Sequence, residues 1–323
     1  MSQKNGTFWF KFIEHREYVL IIAIVLLFLI MLFFAPNFTT LGNLEQILIV
    51  SAGLTVGAIG MTMIIITAGI DVSAGAILGT SASVFATMLS AGHPTFSIFA
   101  TLVTGSALGA LNGFFIAFVG IPPIIVTLGS MSIFRAIDFS YLHGKWISNF
   151  SNPFAFLGQG SFLGIPVQLI SIVILLIIFT YIFRKTPFGR NIYAIGGNVS
   201  ASKYYGVPVK STLFIIYMLA GLLYAFVAIV ETSRTSIVQT STGAGWELEI
   251  IAATILGGTN ILGGSGSAIG SFLGAFFIAS IESALVFLNT PPIYNDGILG
   301  VLLILAVITD FLKIKLKGAE ENV

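Results

Sequence analysis

The sequence contains no cysteine, and only 8% of its 323 residues are charged. Without cysteine the chain can form no disulfide, hold no iron–sulfur cluster and use no thiol as a nucleophile. Charged residues make up about 25% of soluble domains, so the charges here are too few to cover a water-exposed surface. The formal net charge of +1 also gives no reason to expect a nucleic-acid partner.

Motifs for catalysis and for nucleotide binding are missing as well. The three histidines, His15, His93 and His143, are widely separated, and their spacing predicts no metal site. No Gly-x-x-x-x-Gly-Lys-Ser/Thr motif is present, so we expect no phosphate-binding loop. The sequence therefore predicts a protein that is not an enzyme and binds no cofactor. Any ATP and magnesium that drive it would be bound by another subunit.

The dominant feature that is present is a series of long apolar runs. About 20 apolar residues in a helix cross the hydrocarbon core of a bilayer, and in lipid the backbone must satisfy its own hydrogen bonds. We therefore predict an all-α polytopic membrane protein, a single transmembrane domain over residues 1–323. Glycines interrupt the eighth run, which is the least regular. About ten transmembrane helices are expected, at 18–34, 46–68, 74–91, 96–119, 124–142, 165–183, 212–231, 250–262, 268–288 and 293–311.

Basic residues predict the orientation. They cluster at the N-terminus, in the loop after the sixth run and at the C-terminus. Because lysine and arginine are enriched in cytoplasmic loops, we expect both termini and the loop 184–210 to be cytoplasmic. The first run is expected to be a retained helix rather than a cleaved signal peptide. The basic residues concerned are Lys4, Lys11, Arg16, Arg184, Lys185, Arg190, Lys203, Lys210, Lys313, Lys315 and Lys317.

Two segments of the chain resemble each other. Gly105–Gly113 and Gly266–Gly274 share the pattern Gly-Ser-Ala-Leu/Ile-Gly followed by a further glycine. They fall on the fourth and ninth runs, which would cross in opposite directions, so repeat halves at roughly 46–142 and 212–311 would be inverted, as in many transporters. The alternative is that small residues at this spacing only pack helices together. In either case Gly105, Gly109, Gly113, Gly266, Gly270 and Gly274 are expected at close helix contacts.

Polar residues inside apolar runs are candidates for a solute pathway, because lipid disfavours them. The alternatives are structural: Asp71 as a helix cap, Asn112 as a tie between helices, and Arg135 with Asp138 as an ion pair on one helical face. Residues near the external loop after the seventh run, Glu231 and Arg234 among them, are expected to be mostly solvated. The candidate pathway residues are Asp71, Asn112, Arg135, Asp138, Trp246, Glu249 and Glu282.

The loop 184–210 contains signals for a short helix. Asn198 is a favourable N-cap, and Gly206 with Pro208 is a favourable stop. A two-turn helix held at the membrane surface is suited to dock a partner, although an ordinary basic connector would look similar. The residues expected to couple to a partner are Gly189, Arg190, Gly196, Gly197, Asn198, Ala201, Lys203, Tyr204 and Gly206.

This loop resembles the Gly-Gly-Asn-x-Glu-Ala-Ala-x-x-x-Gly-Ile segment of the ribose-type permeases of bacterial ABC importers. Thr67–Gly75, Ile121–Gly129 with Arg135, and Glu247–Thr259 resemble further motifs of that family, in order along nearly the whole chain. Ala68 replaces a glycine of the family pattern, and Ser200 and Ser202 replace its glutamate and second alanine. The missing glutamate leaves a salt bridge to the ATPase in doubt.

The resemblance implies a permease subunit in the bacterial inner membrane that forms the pathway for a simple sugar. It also implies an ATPase subunit, a second identical or paralogous permease subunit, and an extracytoplasmic solute-binding protein. His143–Trp146 and Pro292–Asp296 are most similar to permeases for the furanosyl autoinducer, with those for rhamnose and ribose close behind. An ion-coupled secondary transporter and a membrane-embedded enzyme are the alternative functions.

Overall fold

The computed structural model describes residues 16–148, 150–291 and 293–320, with side chains described up to residue 308. The described chain is almost entirely helical. Its helices are α1 (Arg16–Phe34), α2 (Leu41–Ile66), α3 (Ala74–Ser90), α4 (Pro94–Phe114), α5 (Pro123–Leu142), α6 (Ala155–Gln159), α7 (Val167–Lys185), α8 (Pro187–Gly197), α9 (Val199–Tyr204), α10 (Val209–Thr235), α11 (Trp246–Leu256), α12 (Ala268–Phe287) and α13 (Ile293–Glu320). A 3₁₀ turn at Pro36–Thr39 and a π-helical turn at Phe115–Val119 complete the helical structure.

Seven of the described helices are long and apolar enough to cross a membrane: α1, α2, α4 with its π-helical turn, α5, α7, α10 and α12. Helix α3 and residues Ile293–Ile308 of α13 are shorter apolar helices. The all-α membrane fold is confirmed, whereas ten full-length spans are not. The predicted span 250–262 is wrong as a helix, because α11 ends at Leu256 and Gly257–Ser267 is non-helical. Gly258, Gly263 and Gly264 there have positive φ angles, which no helix accommodates.

The loops meet at two opposite faces of the helix bundle. On one, β1 (Ile147–Ser148) pairs antiparallel with β4 (Ile237–Val238), beside a small hairpin of β2 (Ser161–Phe162) and β3 (Ile165–Pro166). We call this the strand face. On the other, the Gly264 amide donates to the Ile66 carbonyl over 2.9 Å. The exposed residues Arg184, Lys185, Arg190, Lys203 and Lys210 lie on this second face, which we call the basic face. The N-terminal basic residues Lys4 and Lys11 lie outside the described residues, as do the side chains of Arg16, Lys313, Lys315 and Lys317.

Helices α2 and α10 lie at the centre of the bundle. Their buried residues form one core with α3 and α11, whereas α1 is mostly exposed and packs against α12 through Phe28 and Phe276. A helix that is apolar on all sides is expected in such a buried position or in lipid. The centre is therefore formed by the two long helices that bury most of their residues against other helices.

The helices α2–α5 and α10–α13 make matching contacts. Helix α4 packs along α10 as α12 packs along α2, and α3 contacts α4, α5 and α10 as α11 contacts α12, α13 and α2. These are the pairings that a repeat relating α2–α5 to α10–α13 predicts. The two short helices with matching contacts, α3 and α11, position the candidate site.

Candidate solute pathway and coupling surface

Helices α3 and α11 begin inside the bundle and their N-termini meet there. A Cβ added at Gly75 would collide with the carbonyl oxygen of Gly243 and with the carboxylate of Glu247. From this meeting point α3 runs towards the strand face and α11 towards the basic face. The two short helices are thus preceded by non-helical segments that enter from opposite faces, Thr67–Ser73 and Gln239–Gly245. Interrupted helices whose N-termini lie at mid-depth are typical of solute sites in transporters.

The segment Thr67–Ser73, which enters from the basic face, is held by a network of buried hydrogen bonds. Asp71 Oδ1 accepts hydrogen bonds from the amide and hydroxyl of Ser73, at 2.9 and 2.6 Å. Asn112 Nδ2 donates to the Ser73 hydroxyl over 2.8 Å, and Asp71 and Asn112 are fully buried. Asp71 thus holds the turn before α3, and Asn112 ties that turn to α4, which are the contacts that the structural alternatives predict.

Ala68, in the same segment, has a φ angle of 60°. This is the position where the family pattern has glycine, and the left-handed conformation explains that preference because glycine lacks the Cβ that crowds it. A non-glycine residue in this region costs of the order of 1–3 kcal/mol. Ala68 therefore keeps the left-handed backbone conformation that the family's glycine would adopt, and the backbone at this residue is strained.

Arg135 and Asp138 do not form the ion pair that their spacing predicts. Arg135 Nη1 instead donates to the Thr242 carbonyl over 2.6 Å. Asp138 is 1% exposed, and neither of its carboxylate oxygens has a hydrogen-bond partner among the described residues. Helical spacing makes a pair possible, but the guanidinium reaches a carbonyl on another segment instead.

A cavity of about 570 Å³ extends from the strand face towards the meeting point of α3 and α11. Three of the seven predicted pathway residues, Trp246, Glu249 and Glu282, line it. Asp71, Asn112, Arg135 and Asp138 do not. Its further polar and aromatic lining consists of Trp146, Glu231, Thr232, Arg234, Thr235, Gln239 and Thr242. The cavity therefore combines two indole rings with three carboxylates and one guanidinium.

Two of these lining residues, Glu231 and Arg234, were expected to be mostly solvated. They form an ion pair of 2.7 Å on the last turns of α10, with a second hydrogen bond from Arg234 Nε to Glu231 Oε2. In the sequence, their spacing of three residues on a helix indicates that they can form an ion pair. The spacing does not indicate that this pair faces a cavity.

The predicted close contacts of the glycines are present, although their partners differ between the two segments. A Cβ on Gly105 or Gly109 of α4 would collide with backbone atoms of α10, and Gly113 also lies against α10 at Phe214. Gly270 and Gly274 of α12 approach the backbone of Gly257 and Ala253 at the end of α11 instead. Gly266 packs against Thr259 and Ile66. The glycines that match in sequence thus do not make equivalent contacts.

The loop 184–210 contains two helices rather than one. Helix α8 is capped by Thr186, which accepts from the Gly189 amide over 3.1 Å. It packs on the bundle: Gly196 lies against the Ile66 carbonyl, and Tyr193 donates to the Gly266 carbonyl over 2.7 Å. Burial raises the pKa of the Tyr193 phenol, which keeps it protonated as a donor. Helix α8 therefore connects the loop to both interrupted regions at the basic face.

Helix α9 is the short helix that the sequence predicts. Asn198 Oδ1 accepts from the Ala201 amide over 2.9 Å, as an N-cap, and Gly206 follows with a φ angle of 78°. Ala201 and Lys203 are exposed, and Tyr204 and Tyr205 are 87% and 81% exposed. Of the predicted coupling residues, Gly189 and Gly196 pack inward, whereas those at and after Asn198, with Arg190 and Gly197, are exposed. The α9 end of the loop thus provides a projecting surface.

Comparisons with known proteins agree with this architecture. The profile of the family described as "Branched-chain amino acid transport system / permease component" matches residues 43–307. The protein named "Autoinducer 2 import system permease protein LsrC" from Salmonella choleraesuis (strain SC-B67) is 35% identical over 302 residues, covering 93% of this chain and 87% of that protein. The protein of the same name from Escherichia coli (strain K12 / DH10B) is 34% identical over the same length, covering 93% and 88%. No solved structure matches. The chain belongs to this family of permease components and is a multi-pass membrane permease.

Proposed function

We propose that this chain is the membrane subunit of an ATP-driven importer and that the cavity is the outer part of its solute pathway. The cavity at the meeting point of α3 and α11 carries this proposal. It is open at the strand face and is closed towards the basic face by the buried contacts between α3 and α11. This is the arrangement of a pathway that is open on one side. The basic face is then cytoplasmic, with both termini on that side. The two halves would be inverted repeats about the bilayer midplane.

The solute that we propose is a neutral, hydroxyl-rich sugar of the furanosyl autoinducer, rhamnose or ribose class. Hydroxyl groups can donate hydrogen bonds to Glu231, Glu249 and Glu282, and sugar faces can pack on Trp146 and Trp246. Among the described lining residues the single guanidinium, that of Arg234, is already paired with Glu231, so an anionic solute would find no free cation there. The relatives named for autoinducer 2 import support the same class.

Uptake competition tests the solute class. Vesicles that contain the complete transporter would be supplied with a labelled sugar, and unlabelled furanosyl autoinducer, ribose, rhamnose or leucine would be added in excess. One of the sugars should compete. Competition by leucine alone would contradict the sugar proposal and favour the amino-acid substrate in the family description.

ATP and magnesium are proposed to bind a separate ATPase subunit that docks on α9. A second permease subunit, identical or paralogous, would complete the pathway, and an extracytoplasmic solute-binding protein would deliver the solute. The exposed Ala201 and the two exposed tyrosines of α9 form the contact surface. Ala201→Arg would bury an unpaired charge in that contact, which costs several kcal/mol and weakens an interface by orders of magnitude.

The docking experiment measures how much ATPase co-purifies with the tagged permease. Ala201→Arg should reduce both co-purification and uptake. Ala91→Arg, a matched change at an exposed alanine between α3 and α4, should leave co-purification unchanged. If Ala201→Arg retains the ATPase and imports normally, α9 is not the docking helix. Uptake driven by an ion gradient without ATP would instead favour the secondary transporter.

A further inference from the structure

Arg135 lies beside the cavity without lining it. It extends from α5, and its Nη1 atom donates a 2.6 Å hydrogen bond to the carbonyl of Thr242. Thr242 and Gly243 belong to the cavity wall. A hydrogen bond from an ionised donor is about twice as strong as one between neutral groups. A charged side chain from one helix thus holds a non-helical segment that helps to form the candidate pathway.

The same segment lies directly against the backbone of α3. A Cβ at Gly79 would be 2.5 Å from the Thr242 carbonyl oxygen and 3.0 Å from Arg135 Nη1. Gly243 has a φ angle of 74°, which favours glycine, and a Cβ there would be 2.5 Å from the Gly75 carbonyl oxygen. Since these neighbours are mainly backbone atoms, the segment can sit this deep only where α3 has no side chains. Its position is therefore set by the glycines of α3 together with Arg135, whose guanidinium lies beside them.

Arg135 also faces the start of α11. Its Nη2 atom lies 3.4 Å from the point that a Cβ on Gly75 would occupy, and Glu247 Oε2 lies closer to that same point. Both atoms are buried, and neither has a hydrogen-bond partner among the described residues. The two side chains form no ion pair, but opposite charges attract over longer distances where water is excluded. Arg135 is thus drawn towards both ends of the turn that leads from Thr242 into α11.

We propose that Arg135 is a positioning residue for solute recognition. By holding the Thr242 carbonyl and facing Glu247, it sets the depth of the segment Gln239–Gly245 and so the placement of Trp246 and Glu249 in the cavity. It does this without touching the solute. This inference rests on the proposed function, in that the cavity is taken as the solute pathway.

The experiment compares Arg135→Gln with Arg135→Lys in the complete transporter. Loss of the charge-assisted bond should raise the solute concentration for half-maximal uptake about tenfold, with a smaller effect on the maximal rate. Lysine keeps the charge and one donor, so Arg135→Lys should restore part of the loss. Lys145→Gln, at an exposed position on the strand face, removes a positive charge elsewhere and should leave uptake unchanged.

A cysteine at Gln239 reports the position of the segment directly, because the native chain has no cysteine. Its reaction with a small thiol reagent would be measured without solute or ATP. Arg135→Gln should change the reaction rate, and Gly79→Ala should change it too, since the added methyl group pushes on the same carbonyl. The double variant should show less than the sum of the two changes, because both act through Thr242.

Unchanged reactivity and unchanged half-saturation in Arg135→Gln would overturn the positioning role. If that variant fails to assemble, unchanged reactivity in Gly79→Ala and in Arg135→Lys would overturn it equally. Altered reactivity with normal half-saturation would support positioning of the segment and contradict the cavity as solute pathway. The failure of the inference and the failure of the proposed function therefore give different results.

Discussion

Replacing Gly109 by alanine tests a close backbone contact between α4 and α10. A Cβ at Gly109 would collide with the carbonyl oxygen of Tyr217 and would lie 3.1 Å from the Cα of Gly221. A Cβ at Gly221 would in turn lie 3.0 Å from the Cα of Gly109. All these neighbours are backbone atoms of α4 and α10, so no side chain can rotate away. The two helices would have to separate along their contact.

The expected loss of stability in Gly109→Ala can be estimated by comparison with a matched variant. Overpacking in a close contact costs about 1–3 kcal/mol, while alanine in place of glycine favours a helix by about 1 kcal/mol. Gly129 on α5 is an exposed helical glycine with nothing within 4 Å of an added Cβ. Gly129→Ala gains the same helix propensity without any collision. Since the gain in helix propensity is common to the two variants, Gly109→Ala should be about 1–3 kcal/mol less stable than Gly129→Ala.

The measurement is thermal unfolding of the purified permease in one detergent, with size-exclusion profiles as a check on aggregation. Gly109→Ala should melt below the parent, and Gly129→Ala at or above it. Gly109→Leu should be worse still and should lose transport. If Gly109→Ala melts no lower than Gly129→Ala, the close approach of α4 and α10 is not a source of stability, and the packing role of the glycine is refuted.

Three further predictions concern the loops. A cysteine at Lys203 should react with a membrane-impermeant reagent only from the cytoplasmic side, and labelling in intact cells would reverse the proposed orientation. Asp71→Asn keeps the acceptor for Ser73 whereas Asp71→Ala loses both bonds, so the alanine variant should be less stable by about 1–3 kcal/mol in thermal unfolding; equal losses would mean that hydrogen bonding is not the role of Asp71. Tyr193→Phe removes the donor to the Gly266 carbonyl and should lower stability by about 1 kcal/mol. It should also reduce ATP-driven uptake while the ATPase still co-purifies normally. Normal uptake would show that this hydrogen bond does not take part in coupling.

Features that depend on local composition could be predicted from the sequence. Hydropathy and the near absence of charge predicted a helical membrane protein, because lipid selects for apolar residues over each whole span. The cap at Asn198 and the stop at Gly206 predicted α9, since capping involves only neighbouring residues. The glycine pattern predicted close packing for the same reason: small residues permit backbone contact whichever helix supplies the partner.

Features that depend on partners distant in the chain were decided by the tertiary structure. Arg135 bonds to a carbonyl 107 residues away, and nothing in its local sequence distinguishes that contact from a pair with Asp138. The break at Gly257–Ser267 leaves a run that looks apolar enough for a full span, because hydropathy does not record backbone conformation. Glu231 and Arg234 line the cavity only because α2, α10 and the segment Gln239–Gly245 enclose the same space. The sequence by itself thus determined the membrane and the helices, whereas the cytoplasmic docking surface on α9 stays a prediction. Only the tertiary structure decided where the cavity lies, since a cavity is a property of several segments together.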